Sequence, residues 1–136
     1  MFLVVIGSLI SCDVGPQKIR IGEDVCSFCR MSIADNRFGA EIVTKKGKIY
    51  KFDDTHCLTG FIKANTINNQ EIKNTYLVDF NEPHELIEAS QVLLLKSSQL
   101  RSPMGGNIAA FSSQNQLNIA TVKLSGVQVT LEGVLK

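Results

Sequence analysis

Lys48-Ile49-Tyr50-Lys51-Phe52 interleaves lysines with β-branched and aromatic residues, the pattern of a strand. Ahead of it lies the β-branched run Ala40-Glu41-Ile42-Val43-Thr44, and Lys45-Lys46-Gly47 between the two supplies a turn. Residues 39–52 therefore predict a hairpin. The pattern then changes: Asp53 or Asp54 stands where a helix cap is needed, and Cys57, Leu58, Phe61 and Ile62 follow at helical spacing. The polar run from Asn65 to Lys73 ends that helix before a strand at Thr75-Tyr76-Leu77-Val78-Asp79. Glu82-Pro83-His84-Glu85 reads as a linker, with His84 exposed and without an evident partner.

The order strand, strand, helix, strand returns in the second half. Gly47, Ile49, Phe52 and Leu58 recur about 59 residues later as Gly106, Ile108, Phe111 and Leu117. Ser112-Ser113 stands in place of Asp53-Asp54, as the cap of a helix through Leu117, Ala120 and Leu124 to Gly126. Gln91-Val92-Leu93-Leu94-Leu95 is the strand ahead, and Val127-Gln128-Val129-Thr130 the strand behind. The predicted class is α+β, with two tandem ββαβ units over residues 38–80 and 89–136.

The N-terminus follows a different rule. Met1 to Ile10 is almost wholly apolar and runs into Ser11-Cys12, a small residue before a cysteine. That is the pattern of a lipoprotein signal over residues 1–11, with Cys12 as the lipidated first residue of the exported chain. The run is about half of the roughly 20 residues that a spanning helix needs. No Lys or Arg precedes it, so the usual basic n-region is absent. Gly15-Pro16 then opens a segment that reaches residue 37 without a regular period.

Charge excludes one class of function. Lys and Arg number 14 against 13 Asp and Glu, with no basic block or interleaved aromatic stripe, so no electrostatic footprint for nucleic acid exists. Setting Cys12 aside leaves Cys26, Cys29 and Cys57, an odd number of thiols in an exported chain, so one is free or bound to something. Cys26-Ser27-Phe28-Cys29-Arg30-Met31 puts three sulfur side chains in one short stretch, flanked by polar turns that predict an exposed loop. Thiolate and thioether donors together favour Cu(I) over harder ions. A second thioether, Met104, lies in the loop Arg101-Ser102-Pro103-Met104-Gly105-Gly106, either as a further ligand or as packing for the second unit. Gly105-Gly106 lacks the other features of a phosphate loop.

Other metals and chemistries remain open. His56 and Cys57 with Cys26 and Cys29 would make a Cys₃His set suited to structural zinc, although Cys57 falls on the helix's apolar stripe and reads as core. A bare CxxC also fits a thiol–disulfide redox protein, or a structural lipoprotein with an inert disulfide. The redox reading lacks the helix N-terminus that such a site needs after Cys29. Asp53-Asp54 with His56 has no recognisable nucleophile or oxyanion device beside it, so the chain is not expected to be an enzyme or to bind a small-molecule substrate.

Several stretches together resemble the NosL family of copper-binding lipoproteins: Ile21-Gly22-Glu23-Asp24, CxxCxM at Cys26, Cys29 and Met31, Arg37-Phe38-Gly39-Ala40-Glu41, and Lys46-Gly47-Lys48 with Tyr50-Lys51-Phe52-Asp53. Ser102-Pro103-Met104-Gly105-Gly106 with Ala110-Phe111 extends the match over most of the exported chain. The resemblance implies a metallochaperone in the cell envelope, lipid-anchored and facing the periplasm, that holds one Cu(I). Its implied partners are nitrous oxide reductase, whose copper-sulfide centre it helps to assemble, and that enzyme's membrane ABC-type maturation complex. It also implies two ββαβ halves, and Cys29 and Met31 as the steadier ligands, Cys26 being replaced in many members.

Overall fold

The computed structural model describes residues 14–136. The expected signal and Cys12 lie outside the described residues. The first hairpin forms as predicted: β1 (Ala40–Thr44) pairs antiparallel with β2 (Ile49–Phe52), Glu41 opposite Lys51 and Ile42 opposite Tyr50. Gly47 closes the turn at a φ of 85°, where a side chain would be strained. Asp54 begins α1 (Thr55–Lys63) by accepting the Cys57 amide hydrogen at 3.2 Å. The chain returns as β3 (Ile72–Val78) on the other side of β1. This strand starts three residues earlier than the composition of 75–79 suggested, because Asn74 and Ile72 pair with Val43 and Thr44 at the end of β1, across an irregularity at Lys73.

The linker is more ordered than its sequence. Residues Leu86–Glu88 form β4, which pairs with β3 and extends the first sheet to the order β2-β1-β3-β4. His84, expected to be exposed and unpartnered, is half-buried, with its Nδ1 2.9 Å from the Asp79 carbonyl oxygen. The turn before β4 folds it back onto the end of β3.

The second unit repeats the first strand for strand. β5 (Leu93–Lys96) lies between β6 (Ile108–Phe111) and β7 (Val127–Val129), as β1 lies between β2 and β3. Ser113 caps α2 (Gln114–Lys123) by accepting the Gln116 amide hydrogen at 3.2 Å. A short α3 (Leu131–Leu135), capped by Thr130, follows β7 without a sequence signal strong enough to predict it.

The halves join along one line. Asp79 and Ala110 form a parallel bridge, and the Phe80 amide donates to the Ala110 carbonyl at 2.8 Å. Phe80 stacks at 5.7 Å on both Phe38 and Phe111. Leu94 and Leu95, both fully buried, point to opposite faces of β5. Leu94 joins the main core around Phe52, Leu58 and Leu77, while Leu95 joins a second core with Phe111 and Leu117 under α2. Burying side chains of that size contributes about 1.5–3 kcal/mol each.

Candidate metal centre

Residues 20–33 make a small hairpin ahead of the first sheet. The Gly22 amide donates to the Ile33 carbonyl, the Ile33 amide to the Asp24 carbonyl, and Val25 and Ser32 form an antiparallel bridge. Its tip is tight: the Cys26 amide donates to Met31, the Arg30 amide donates back to Cys26, and Arg30 takes a φ of 66°. Asp24 fixes its base. The Asp24 carboxylate accepts from Lys51 at 2.6 Å and from the Arg20 amide and guanidinium. Burial would raise its pKa, but those donors prevail and hold it at about 2.

Two contacts press the tip onto the sheet and α1. The Ser27 amide donates to the Lys51 carbonyl at 2.8 Å, and the Phe28 ring lies over Gly60 of α1. A Cβ at Gly60 would stand 2.6 Å from that ring, so the glycine is what admits the close approach. Phe28 also meets His56 edge-on at 6.4 Å.

This docking changes what the cysteine stretch is. Cys26, expected in an exposed loop, is fully buried beneath the tip, and only Cys29 beside it remains half-exposed. Cys57, read from its spacing as a core thiol, is fully buried as expected but also faces the other two. The three sulfurs all lie within 4.8 Å of one another and form a group able to hold a metal ion. The sequence signal for Cys57 was the odd thiol count together with a place in the first turn of a capped helix.

Electrostatics makes the three thiols unequal. The Cys26 pKa is pulled down to about 5, first by the hydrogen bond from the Cys57 thiol, against burial, with amides of Cys29, Phe28 and Asp53 adding to it. Cys57 is pushed up by giving that hydrogen bond and by burial, and Cys29 is raised chiefly by burial. At neutral pH the cluster is one cradled thiolate and two thiols. Asp53 beside it is 3% exposed, and one of its carboxylate oxygens has no hydrogen-bond partner. Burial, then the charges of Cys26 and Asp54, lift it to about 6.

The methionines are placed differently from the cysteines. Met31 is 58% exposed, its amide donating to the Cys29 sulfur. Met104 is half-buried against the core that contains Cys26 and Cys57. Asp54 brings it there: one carboxylate oxygen caps α1, and the other accepts from Ser102 Oγ at 2.8 Å, the Met104 amide at 2.9 Å and the Gly106 amide at 3.3 Å. His56 is exposed and does not belong to the ligand group, which among the described residues is made of sulfur alone.

Comparison with known proteins places this architecture. A search of curated proteins returns no match. The crystal structure of the copper chaperone NosL from Shewanella denitrificans superposes with a TM-score of 0.73, covering 88% of this chain and 94% of that one at 21% identity. The two share a fold of paired antiparallel sheets with few helices. The family model of NosL matches residues 18–122, nearly the whole described chain and the cluster within it, and on that match the chain belongs to the NosL family.

Proposed function

We propose that this protein carries Cu(I), held by Cys26, Cys29 and Cys57, with Met31 and Met104 as thioethers that take part in capture or release. The observation that carries this reading is the three-sulfur group within 4.8 Å, closed on two sides and half-open at Cys29. A trio of thiolates suits a soft, low-coordinate cation that is cargo and must leave again. Membership of the NosL family and likeness to a copper chaperone support a binding protein and not an enzyme.

The geometry suggests an order of handover. Cys26 is retained longest, since it is fully buried and three backbone amides stabilise its charge from within. Cys29 is the ligand an acceptor's sulfur reaches first, with exposed Met31 two residues on. As a lipoprotein anchored at Cys12 and facing the periplasm, the carrier would supply copper for the copper-sulfide centre of nitrous oxide reductase, together with a membrane ABC-type complex. The family resemblance is what supports that destination.

Competition between the reduced protein and chromophoric chelators tests the cargo. One Cu(I) bound in preference to Zn(II) is expected, with sulfur alone or mainly sulfur in the copper-edge X-ray absorption. Cys29→Ser and Cys57→Ser should each weaken Cu(I) at least about tenfold, roughly 1.4 kcal/mol, and Met31→Leu should weaken it while leaving folding intact. Preference for zinc, or full Cu(I) affinity without Cys57, would overturn the assignment. The destination is tested separately, by whether a strain lacking the gene still fills the reductase's copper-sulfide centre.

A thiol–disulfide role has one observation in its favour, the lowered pKa of Cys26 beside two thiols. Complete burial of that sulfur argues against attack on a partner's disulfide. Catalysed reduction of a test disulfide, lost in Cys26→Ser, would promote it.

A further inference from the structure

We infer that the β1–β2 turn is a membrane-facing pole, seated on an anionic bilayer, which holds the cysteine cluster at the opposite end of the first hairpin; this rests on the proposed lipid anchor at Cys12. Three exposed lysines, Lys45, Lys46 and Lys48, crowd this turn around Gly47. Lys48 places its ammonium 4.8 Å over the Tyr50 ring, and the acidic neighbour is Glu71, whose carbonyl accepts the Lys45 amide hydrogen.

The N-terminal strap supplies the second observation. Ile19 is buried against Gly39 and Val78, the Gln17 amide donates to the buried Glu41 carboxylate at 2.8 Å, and Val14 lies on Gly47, 3.1 Å from where its Cβ would be. The strap thus runs along the hairpin from the Gly39 end to the turn, and leaves the domain at the three lysines. Cys12 stands two residues before Val14, a reach of about 7 Å. A lipid on Cys12 therefore holds the lysine turn at the headgroups. The attraction of the lysines to an anionic surface complements acyl insertion.

The other end of β2 carries the metal group, since the Asp53 amide donates to the Cys26 sulfur. From Lys48 to Asp53 the strand rises about 16 Å. Seating the turn on the bilayer therefore holds Cys29 and Met31 at the far end of the strand, away from the headgroups.

The test uses the full lipoprotein, checked by mass for diacylglycerol on Cys12. It is placed in vesicles of phosphatidylcholine alone and in vesicles with one third phosphatidylglycerol, and pulsed with an amine-acetylating reagent. Lys45, Lys46 and Lys48 should react at least about threefold more slowly in the anionic vesicles, with Lys123 and Lys136 unchanged and the difference lost in high salt. A lipidated chain whose three lysines react equally in both vesicles overturns the inference and leaves the anchor standing. A chain without lipid on Cys12 overturns the anchor, and the inference with it.

Discussion

Loading a soft cation onto Cys26, Cys29 and Cys57 has to displace protons, and the number follows from which thiols still hold them. Cys26, at about 5, is already ionised at neutral pH, whereas Cys29 and Cys57 are raised and protonated. Binding at three thiolates thus releases two protons. Cu(I) affinity should rise about a hundredfold per pH unit between pH 6 and 8, and fall more steeply below pH 5, where Cys26 also protonates. Chelator competition at three pH values, corrected for the chelator, gives the slope; a slope of about one or less would mean that Cys29 and Cys57 do not both bind as thiolates. Asp53 has the opposite sign to an ion-paired acid. Its folded pKa of about 6 lies above the unfolded value, so ionisation opposes folding as pH rises through 6. Asp53→Asn should therefore raise the melting temperature of the metal-free protein at pH 7–8, and the gain should vanish near pH 4.

At the scale of elements, the site depends on two packed pieces: the hairpin of residues 20–33 and the start of α1. Gly60→Ala separates docking from stability. Alanine favours a helix interior over glycine by about 1 kcal/mol, yet the new Cβ meets only the movable Phe28 ring. Unchanged or slightly raised stability, with Cu(I) binding weakened several-fold, is the expected result; unaltered copper affinity would show that Phe28 does not set the sulfur geometry. Asp24→Asn loosens the hairpin's base. The folded pKa of about 2 lies below the unfolded value, so the carboxylate's stabilisation is complete above about pH 4 and disappears as pH falls through 2. Thermal unfolding should show a loss of about 2 kcal/mol at pH 7 and none near pH 2. What was legible in the sequence here was local. The caps at Asp54 and Ser113 and the strand β2 belong to short stretches, and each formed where it was expected. β4 forms because β3 offers it an edge, and Cys26 is buried because Phe28 finds Gly60 far along the chain. Neither relation leaves a mark within one window of residues.

Across the whole molecule, the repeat at about 59 residues was readable from four matching positions, and the two sheets have equivalent strand orders around β1 and β5. The cluster was only partly readable, since Cys57's spacing said core and its partners lie nearly thirty residues upstream. Symmetry ends at the helix caps. Asp54 and Ser113 occupy equivalent places and do the same local work, each accepting an amide hydrogen three residues on. Serine has a single oxygen to give. Aspartate has two, and the spare one is where Ser102, Met104 and Gly106 of the other half converge. In terms of descent, a duplicated unit can keep one copy of a position for structure and release the other for a new task. One added carboxylate oxygen is enough to turn a helix cap into the joint that lets the second half attend to the first. Asp54→Ser should accordingly keep α1, since serine caps well, while hydrogen exchange at the Met104 amide quickens and the melting temperature drops.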